Sequence, residues 1–185
     1  EKSTFKNISL LTTSDALEFL QASYNGVTIQ DNTFLNNKRH IRLHEQTGNV
    51  IENFTIRRNF LNGTAGEEGL RLIGASNVVI ENNVVMKSGQ QGIYIDAGCS
   101  NLTVTHNTFY KTGFETIRTK LTSPDMVIKN NIFYGNGTHA ALAAAVASLP
   151  SENHNLIFNT GSSTETTVQP AVTSFGANTQ AGLDP

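Results

Sequence analysis

The sequence predicts an all-β fold, a single-stranded parallel β-helix (solenoid) of about six to seven stacked coils. One observation is a repeat: residues 77–100 and 101–124 are consecutive 24-residue segments that open on Asn, alternate apolar and polar residues, and carry a second Asn at the seventh position. The other is its extension along the chain, which finds seven Asn at intervals of 24 to 27 residues: Asn7, Asn32, Asn59, Asn83, Asn107, Asn131 and Asn155.

Each period contains three short segments with the pattern of strands. The first precedes the Asn, as with Val78 and Ile80; the second follows it directly; the third begins about ten residues later, as with Ile93 and Ile95. Alternation of apolar and polar residues indicates strands with one buried face. One triangular coil cannot bury its apolar face alone, so stacked coils are expected to share a continuous core.

The repeated Asn is expected to be structural. It lies where one strand turns sharply into the next, a position that tolerates the left-handed conformation. Its amide can bond the equivalent Asn of the coils above and below, at a spacing of about 4.8 Å. We therefore expect an asparagine ladder. Five turn glycines are expected to be structural as well: Gly74, Gly89, Gly98, Gly113 and Gly137.

The repeats predict one domain of β-helix coils over residues 1–160 and an irregular segment, 161–185, against the last coil. Residues 138–150 are rich in Ala, so we expect a loop or helical insertion there, with a plain third strand and loop as the alternative. Neither end carries a capping helix, which suggests a fragment, or end-to-end contacts between copies.

Composition excludes several classes of function. A formal net charge of −2 leaves no basic surface for nucleic acid, and no apolar segment approaches the length of a membrane span. Cys99 is the only cysteine, which excludes a disulfide framework and a cysteine zinc cluster, and we expect it to be inert in a turn. His106, His139 and His154 are expected at turns or on the surface.

Outward residues of successive third strands should form columns along the helix axis. The central column reads Glu18, Arg42, Arg71, Tyr94, Arg118 and Ala143. The next column reads Leu20, His44, Ile73, Asp96 and Lys120. The loop before the strand supplies Glu67, Glu68, Gln91 and Glu115. Arg42, Arg71, Arg118 and Lys120 would form a cationic stripe, although Arg beside Glu on adjacent strands often reflects only cross-strand pairing.

The strings VVIENNVV, LTVTHNTFY and MVIKNNIFY resemble repeats of the right-handed parallel β-helix proteins of the pectate lyase-like superfamily, over about residues 5–160. The resemblance implies that the third strand and the loop before it form a substrate groove. It also implies a secreted, cell-surface or periplasmic protein. The superfamily includes polysaccharide lyases, hydrolases, epimerases, tailspikes and adhesins, so the fold alone does not select an activity.

A second resemblance is narrower. RNFLNGTAGEEGLRLIGASNVVIENN is similar to a stretch of chondroitinase B and its alginate lyase relatives, which carry a catalytic Arg one coil earlier and a Lys one coil before that. In this chain the third strand one coil earlier reads IRLHE, with His44 where the Arg would fall. The third strand of the coil before that reads LEFLQAS, with no Lys. The catalytic pair is therefore absent, and that mechanism is not carried over.

An acidic polysaccharide is the ligand that fits the columns. Arg matches carboxylates with two parallel hydrogen bonds, so the expected substrate-binding residues are Arg42, Arg71, Glu68, Gln91 and Glu115. Eliminative cleavage of a uronate also needs a neutralised carboxylate, a base and an acid. The candidate catalytic residues are Tyr94, Arg118, Lys120 and His44, with Tyr94 as base or acid because two Arg flank it. Asp96 with Glu68 or Glu115 is a candidate Ca²⁺ site.

The alternative is a non-catalytic module that binds saccharides or serves as a tailspike-like or adhesin-like structure. The missing catalytic pair favours this alternative, and the charged columns favour the lyase. A hydrolase would require paired carboxylates, whereas Asp96 stands alone on its strand. An ice-binding protein would require flat ranks of Thr, and these columns are too charged.

Overall fold

The computed structural model describes residues 4–6, 14–119, 125–135, 141–143, 151–158 and 180–181. All regular elements among them are β-strands, paired in parallel within three sheets. This confirms the predicted all-β parallel solenoid. Among the described residues, no helix has the length and apolar character needed to cross a membrane.

The three sheets correspond to the three strands predicted for each coil. The first-strand sheet contains β3 (Tyr24–Asn25), β4 (Thr28–Gln30), β7 (Ile51–Arg57), β10 (Ser76–Glu81), β13 (Ser100–Thr105), β16 (Val127–Lys129) and β19 (Ser151–Asn153). The second-strand sheet contains β1 (Thr4–Lys6), β5 (Thr33–Asn37), β8 (Phe60–Thr64), β11 (Val84–Met86), β14 (Thr108–Tyr110), β17 (Ile132–Tyr134), β20 (Leu156–Phe158) and β21 (Gln180–Ala181). The third-strand sheet contains β2 (Leu17–Phe19), β6 (Ile41–His44), β9 (Leu70–Ile73), β12 (Ile93–Ile95), β15 (Ile117–Thr119) and β18 (Leu142–Ala143).

The number of coils is lower than expected. The described residues form about five complete three-stranded coils, from β3 to β18, instead of six to seven. The strands before β3 and after β18 belong to coils of which only a part is described. Within the Ala-rich segment, Leu142–Ala143 forms a third strand that pairs with β15, so the strand alternative holds at these two residues. The rest of that segment, and most of 161–185, lies outside the described residues.

The core is a set of apolar columns enclosed by the three sheets. Register places each inward residue over its counterpart one coil away, as with Ile93 between Leu70 and Ile117. All three of these side chains are fully buried. Phe109 and Phe133 stack in the same way, with ring centroids 5.3 Å apart. Because every coil must match its neighbours, the 24-residue period is kept from Asn59 to Asn155.

The predicted asparagine ladder is present from Asn32 to Asn155, and Asn7 lies outside the described residues. Asn83 illustrates the pattern: its Nδ2 donates to Asn107 Oδ1 over 3.0 Å and to the Ile56 carbonyl over 2.9 Å. Its Oδ1 accepts from the backbone N–H of Asn59 over 2.9 Å. These bonds satisfy backbone groups that the sharp turn would otherwise leave buried without partners.

A second asparagine ladder, which the sequence pattern did not reveal, lies exposed beside the first-strand sheet. Asn53 donates to Asn25 over 3.0 Å, and Asn77 donates to Asn53 over 3.1 Å. Asn101 continues the series. Asn53, Asn77 and Asn101 all have positive φ, between 51° and 58°. Asn tolerates this conformation better than most residues, which explains its recurrence at this exposed position within β7, β10 and β13.

Two of the predicted structural glycines are required for close approach between coils. A Cβ on Gly89 would lie 2.5 Å from the backbone of Gly66, and a Cβ on Gly113 would collide with the Gly89 carbonyl. Gly74 and Gly98 instead have positive φ, 67° and 78°. Gly137 lies outside the described residues.

Candidate functional site

The central column of the third-strand sheet has the register that the sequence predicts. Arg42 pairs with Glu18 on one side and Arg71 on the other, and Tyr94 lies between Arg71 and Arg118. Arg118 in turn pairs with Ala143. Because adjacent strands are about 4.8 Å apart, these outward side chains form a continuous row along the helix axis.

An open cavity of about 370 Å³ lies over the middle of this row. It is lined by Glu68, Arg71, Gln90, Gln91, Tyr94, Phe114 and Arg118. Five of these are sequence-predicted site residues, and Gln90 and Phe114 are additions. Phe114 is 40% exposed. The sequence could have indicated Phe114 by its position, because it lies one 24-residue period after Gln90 in the loop that precedes β15.

A second row of polar side chains runs beside the central column. Its members lie two residues before the first inward residue of each third strand: Asp15, Arg39, Glu68, Gln91 and Glu115. We call it the loop column. Gln91 Nε2 donates to Glu115 Oε2 over 2.8 Å, and Arg39 Nε donates to Glu68 Oε2 over 2.7 Å.

Arg39 is the residue of this column that sequence reasoning missed, together with its partner Asp15. Its guanidinium donates to both carboxylate oxygens of Asp15, over 2.8 and 3.0 Å, and to Glu67 Oε2 over 2.7 Å. The side chain is 4% exposed. Burial lowers the pKa of Arg39, but the carboxylates of Glu68 and Asp15 outweigh it and raise the pKa above the ordinary value. Arg39 therefore remains charged and holds Glu68 in place.

The arginines of the expected cationic stripe are accompanied by carboxylates, and Lys120, its fourth member, lies outside the described residues. Arg42 contacts Glu18 at 2.7 Å, Arg71 contacts Glu68 at 3.6 Å and Asp96 at 3.4 Å, and Arg118 contacts Glu115 at 3.5 Å. The ion pairs of this face join Lys38, Arg39, Arg42, Arg71 and Arg118 to Asp15, Glu18, Glu67, Glu68, Asp96 and Glu115. Five cations and six carboxylates give these described residues a formal net charge of −1. This compensation of charge could not be read from the strand columns alone, because most of the carboxylates lie on the preceding loops.

The arginines nevertheless differ in how tightly they are held. The Arg42–Glu18 contact has normal hydrogen-bond length, whereas the contacts of Arg71 and Arg118 with carboxylates, at 3.4–3.6 Å, exceed it. The Nε atoms of Arg42 and Arg71 are both buried with no hydrogen-bond partner, so the difference lies in the terminal nitrogens. Those of Arg42 bond Glu18 and His44 at 2.7 and 2.9 Å, whereas, among the described residues, those of Arg71 and Arg118 have only the longer carboxylate contacts. The guanidinium of Arg71 also lies 5.2 Å from the ring centroid of Tyr94, within cation–π range.

His44 is placed apart from Tyr94. Arg42 Nη2 donates to His44 Nδ1 over 2.9 Å, and since Arg can only donate, the ring hydrogen of neutral His44 is on Nε2. Burial, and then the guanidinium groups of Arg42 and Arg71, lower the pKa of His44 below its ordinary value of 6.5. His44 lies two coils from Tyr94, roughly 10 Å along the axis. The structure does not bring these two candidate catalytic groups together.

The candidate Ca²⁺ site does not assemble around Asp96. The Arg71 guanidinium contacts Glu68 through Nη1 and Asp96 through Nη2, so a cation lies between these two carboxylates. Asp96 Oδ1 also accepts from the backbone N–H of Ala97 over 2.9 Å. Among the described residues, no group of three or more His, Cys, Asp or Glu side chains is arranged to hold a metal ion.

The remaining candidates lie away from the cavity or outside the described residues. Lys120 and His139 are outside them. His106 and His154 are exposed at turns with positive φ. Burial is the main cause that raises the pKa of the Cys99 thiol to about 11, so the thiol is protonated and unreactive.

Comparison with known proteins supports the architecture. No curated protein and no solved structure matches the chain. The model of the family described as "Right handed beta helix region" matches residues 20–179, which include the five complete coils and the cavity. The chain therefore belongs to the right-handed β-helix family.

Proposed function

We propose that the protein binds an acidic polysaccharide along the outward face of the third-strand sheet, with the cavity between Arg71 and Arg118 as a carboxylate-binding subsite. The fold is compatible with this function. The resemblance to the pectate lyase-like superfamily, carried by strings such as VVIENNVV, favours the same function. It also favours a secreted or cell-surface location.

The observation that carries the proposal is the arrangement of three side chains on adjacent strands. Tyr94 is in register with Arg71 on one side and Arg118 on the other. Both arginines contact their carboxylate partners only at 3.4–3.6 Å. A substrate carboxylate could therefore accept shorter, charge-assisted hydrogen bonds from them without competing against a tight internal pair.

The same subsite has the groups needed for eliminative cleavage. Elimination removes the proton from C5 of a uronate, forms a C4–C5 double bond and breaks the bond from C4 to the glycosidic oxygen. Arg71 and Arg118 would neutralise the carboxylate and stabilise the charge that develops on it. Tyr94 would act as the base that takes the C5 proton on its phenolic oxygen, and would then return a proton to the leaving oxygen. Arg42 and His44 would contact sugars further along the axis.

Absorbance of the unsaturated uronate tests cleavage directly. The protein would be incubated with alginate, pectate, chondroitin sulfate and heparin, each with Ca²⁺ and with chelator. We expect a rise with one polymer that is lost in Tyr94→Phe and in Arg118→Ala. Glu81→Gln, on the first-strand sheet, is the matched control and should keep full activity. A rise that survives Tyr94→Phe would contradict the role of Tyr94.

A non-catalytic saccharide-binding module, of tailspike-like or adhesin-like type, is the second candidate. The observation that favours it is charge compensation: six carboxylates accompany the five cations of this face. Salt-dependent binding of one polymer, weakened by Arg71→Ala and without any rise in absorbance, would identify this function. Absence of both binding and cleavage would exclude both candidates.

A further inference from the structure

We infer that this face selects a sparsely charged polysaccharide, in which single uronates are separated by neutral sugars, over a homopolymer of uronates. The inference rests on the proposed polysaccharide binding and specifies its substrate class. It follows from the distribution of charge along the central column and the loop column, which differs from one coil to the next.

On the coil that carries Arg42, each described cation of this face has a carboxylate partner, including Lys38, which lies 4.0 Å from Glu67. Arg42 is held by Glu18 at 2.7 Å, and Asp15 lies 4.0 Å from the same guanidinium nitrogen. Glu18 itself is 36% exposed. A uronate over this coil would therefore meet an exposed carboxylate and an arginine whose charge is already compensated. A neutral sugar would instead find hydrogen-bond acceptors on Glu18 and, at His44 Nε2, a donor.

The coil that carries Arg71 and the next one offer the carboxylate subsite. Arg71 and Arg118 hold their carboxylate partners loosely, at 3.4–3.6 Å, and Arg118 is 48% exposed. They flank Tyr94 from adjacent strands, and all three side chains line the same cavity. This cavity can accept one carboxylate.

The side wall of the cavity is uncharged apart from Glu68, which is buried. Gln90 and Gln91 line it with amides, and Phe114, 40% exposed, presents an aromatic ring. Amides and an aromatic ring suit the hydroxyls and the C–H face of a neutral sugar. Beyond them, Glu67 is 28% exposed and is paired with Arg39 at 2.7 Å, so this wall adds no uncompensated positive charge for a further uronate. Within the described residues, the face thus has one anionic-sugar position beside surfaces that suit neutral sugars.

Binding of defined oligosaccharides by calorimetry at low salt tests this selection. The probes are oligosaccharides of polygalacturonate, in which every sugar is a uronate, and of deacylated gellan, in which single glucuronates are separated by neutral sugars. Carboxyl-reduced gellan oligosaccharides are the uncharged reference. We expect the gellan oligosaccharides to bind at least tenfold more tightly than either of the other two probes.

Charge variants then test whether the carboxylates of this face cause the selection against a homopolymer of uronates. Glu18→Gln removes the carboxylate that compensates Arg42, so it should raise affinity for polygalacturonate oligosaccharides by roughly three- to tenfold, as expected for an exposed charge pair. Glu67→Gln should act in the same direction. Glu81→Gln, on the first-strand sheet, is the charge-matched control and should change neither affinity. Circular dichroism would verify that each variant is folded.

The outcomes separate this inference from the proposed function. Polygalacturonate that binds as tightly as gellan would overturn the selectivity and leave acidic-polysaccharide binding in place. Carboxyl-reduced gellan that binds as tightly as gellan itself would overturn the single-carboxylate subsite. Binding of none of the three probes, or of other acidic polymers, would overturn both proposals.

Discussion

Arg39 donates from Nε to Glu68 Oε2 over 2.7 Å, and both side chains are 4% exposed. The same guanidinium bonds Asp15, so one buried cation fixes carboxylates from the coils on either side of it. Glu68 then faces Arg71 with its other oxygen, at 3.6 Å. The buried pair therefore couples the stability of the coil stack to the position of the candidate substrate-binding arginine.

Replacement of Arg39 tests this coupling. Arg39→Met keeps much of the apolar stem but leaves Asp15 and Glu68 as buried carboxylates without their cation, and breaking a buried ion pair costs about 3–5 kcal/mol. Arg118→Met is the matched control, because its contact with Glu115 is exposed and such pairs contribute at most about 1 kcal/mol. Urea unfolding measures both free energies. Equal and small losses in the two variants would contradict the structural role of Arg39.

The internal asparagine ladder gives a second stability prediction. Asn83→Ala would leave the Ile56 carbonyl and the Asn59 backbone N–H without the side-chain partner they have now, and each buried unsatisfied group costs about 1–3 kcal/mol. Asn107 Oδ1 would keep the backbone N–H of residue 83 as a donor. We therefore expect a loss of at least about 2 kcal/mol in the free energy of unfolding. Asn77→Gly, in the exposed ladder, is the control and should cost about 1 kcal/mol or less, because Gly adopts the same positive φ and water replaces the lost bond. If Asn77→Gly lowered the free energy of unfolding as much as Asn83→Ala, burial of the amide would not determine the cost of losing it.

The sequence was sufficient to predict the central column because the fold constrains it. Parallel coils in register place residues of equal offset over one another, so Asn83 and Asn107 were enough to align Tyr94 with Arg118. The partners of these residues were not predictable in the same way. Arg39 bonds Glu68 through a rotamer that depends on burial and on loop geometry, and neither follows the repeat.

The charge of the face was harder to predict than its register. A strand column counts outward cations, whereas the compensating Glu67, Glu68 and Glu115 lie on loops outside the strands. Function depends on these non-repeating residues, which is why the repeat itself indicated little about it.

The protonation of His44 offers a direct test of the local electrostatics. Burial and the guanidinium groups of Arg42 and Arg71 lower its pKa, so histidine ¹³C-edited NMR should show a titration midpoint below 6.5. Arg42→Met removes both a nearby cation and the hydrogen bond that neutral Nδ1 accepts, so the midpoint should rise. Arg118→Met, farther along the axis, should move it less. A midpoint that does not change in Arg42→Met would show that Arg42 does not set the charge of His44.

The stability of the protein should fall in acid because of His40. This side chain is fully buried, accepts from Asn37 Nδ2 over 2.9 Å, and burial lowers its pKa from 6.5 to about 3. Between these two pH values the unfolded chain binds a proton at His40 and the folded chain does not. The free energy of unfolding therefore decreases as pH falls from 6.5 towards 3. The unfolding equilibrium constant should rise by at most about tenfold per pH unit. His40→Phe removes this titration and should flatten the pH dependence of urea unfolding in that range, even if its stability at neutral pH is lower. His154→Asn, at an exposed turn, should retain the wild-type slope, and an unchanged slope in His40→Phe would assign the acid sensitivity to other groups.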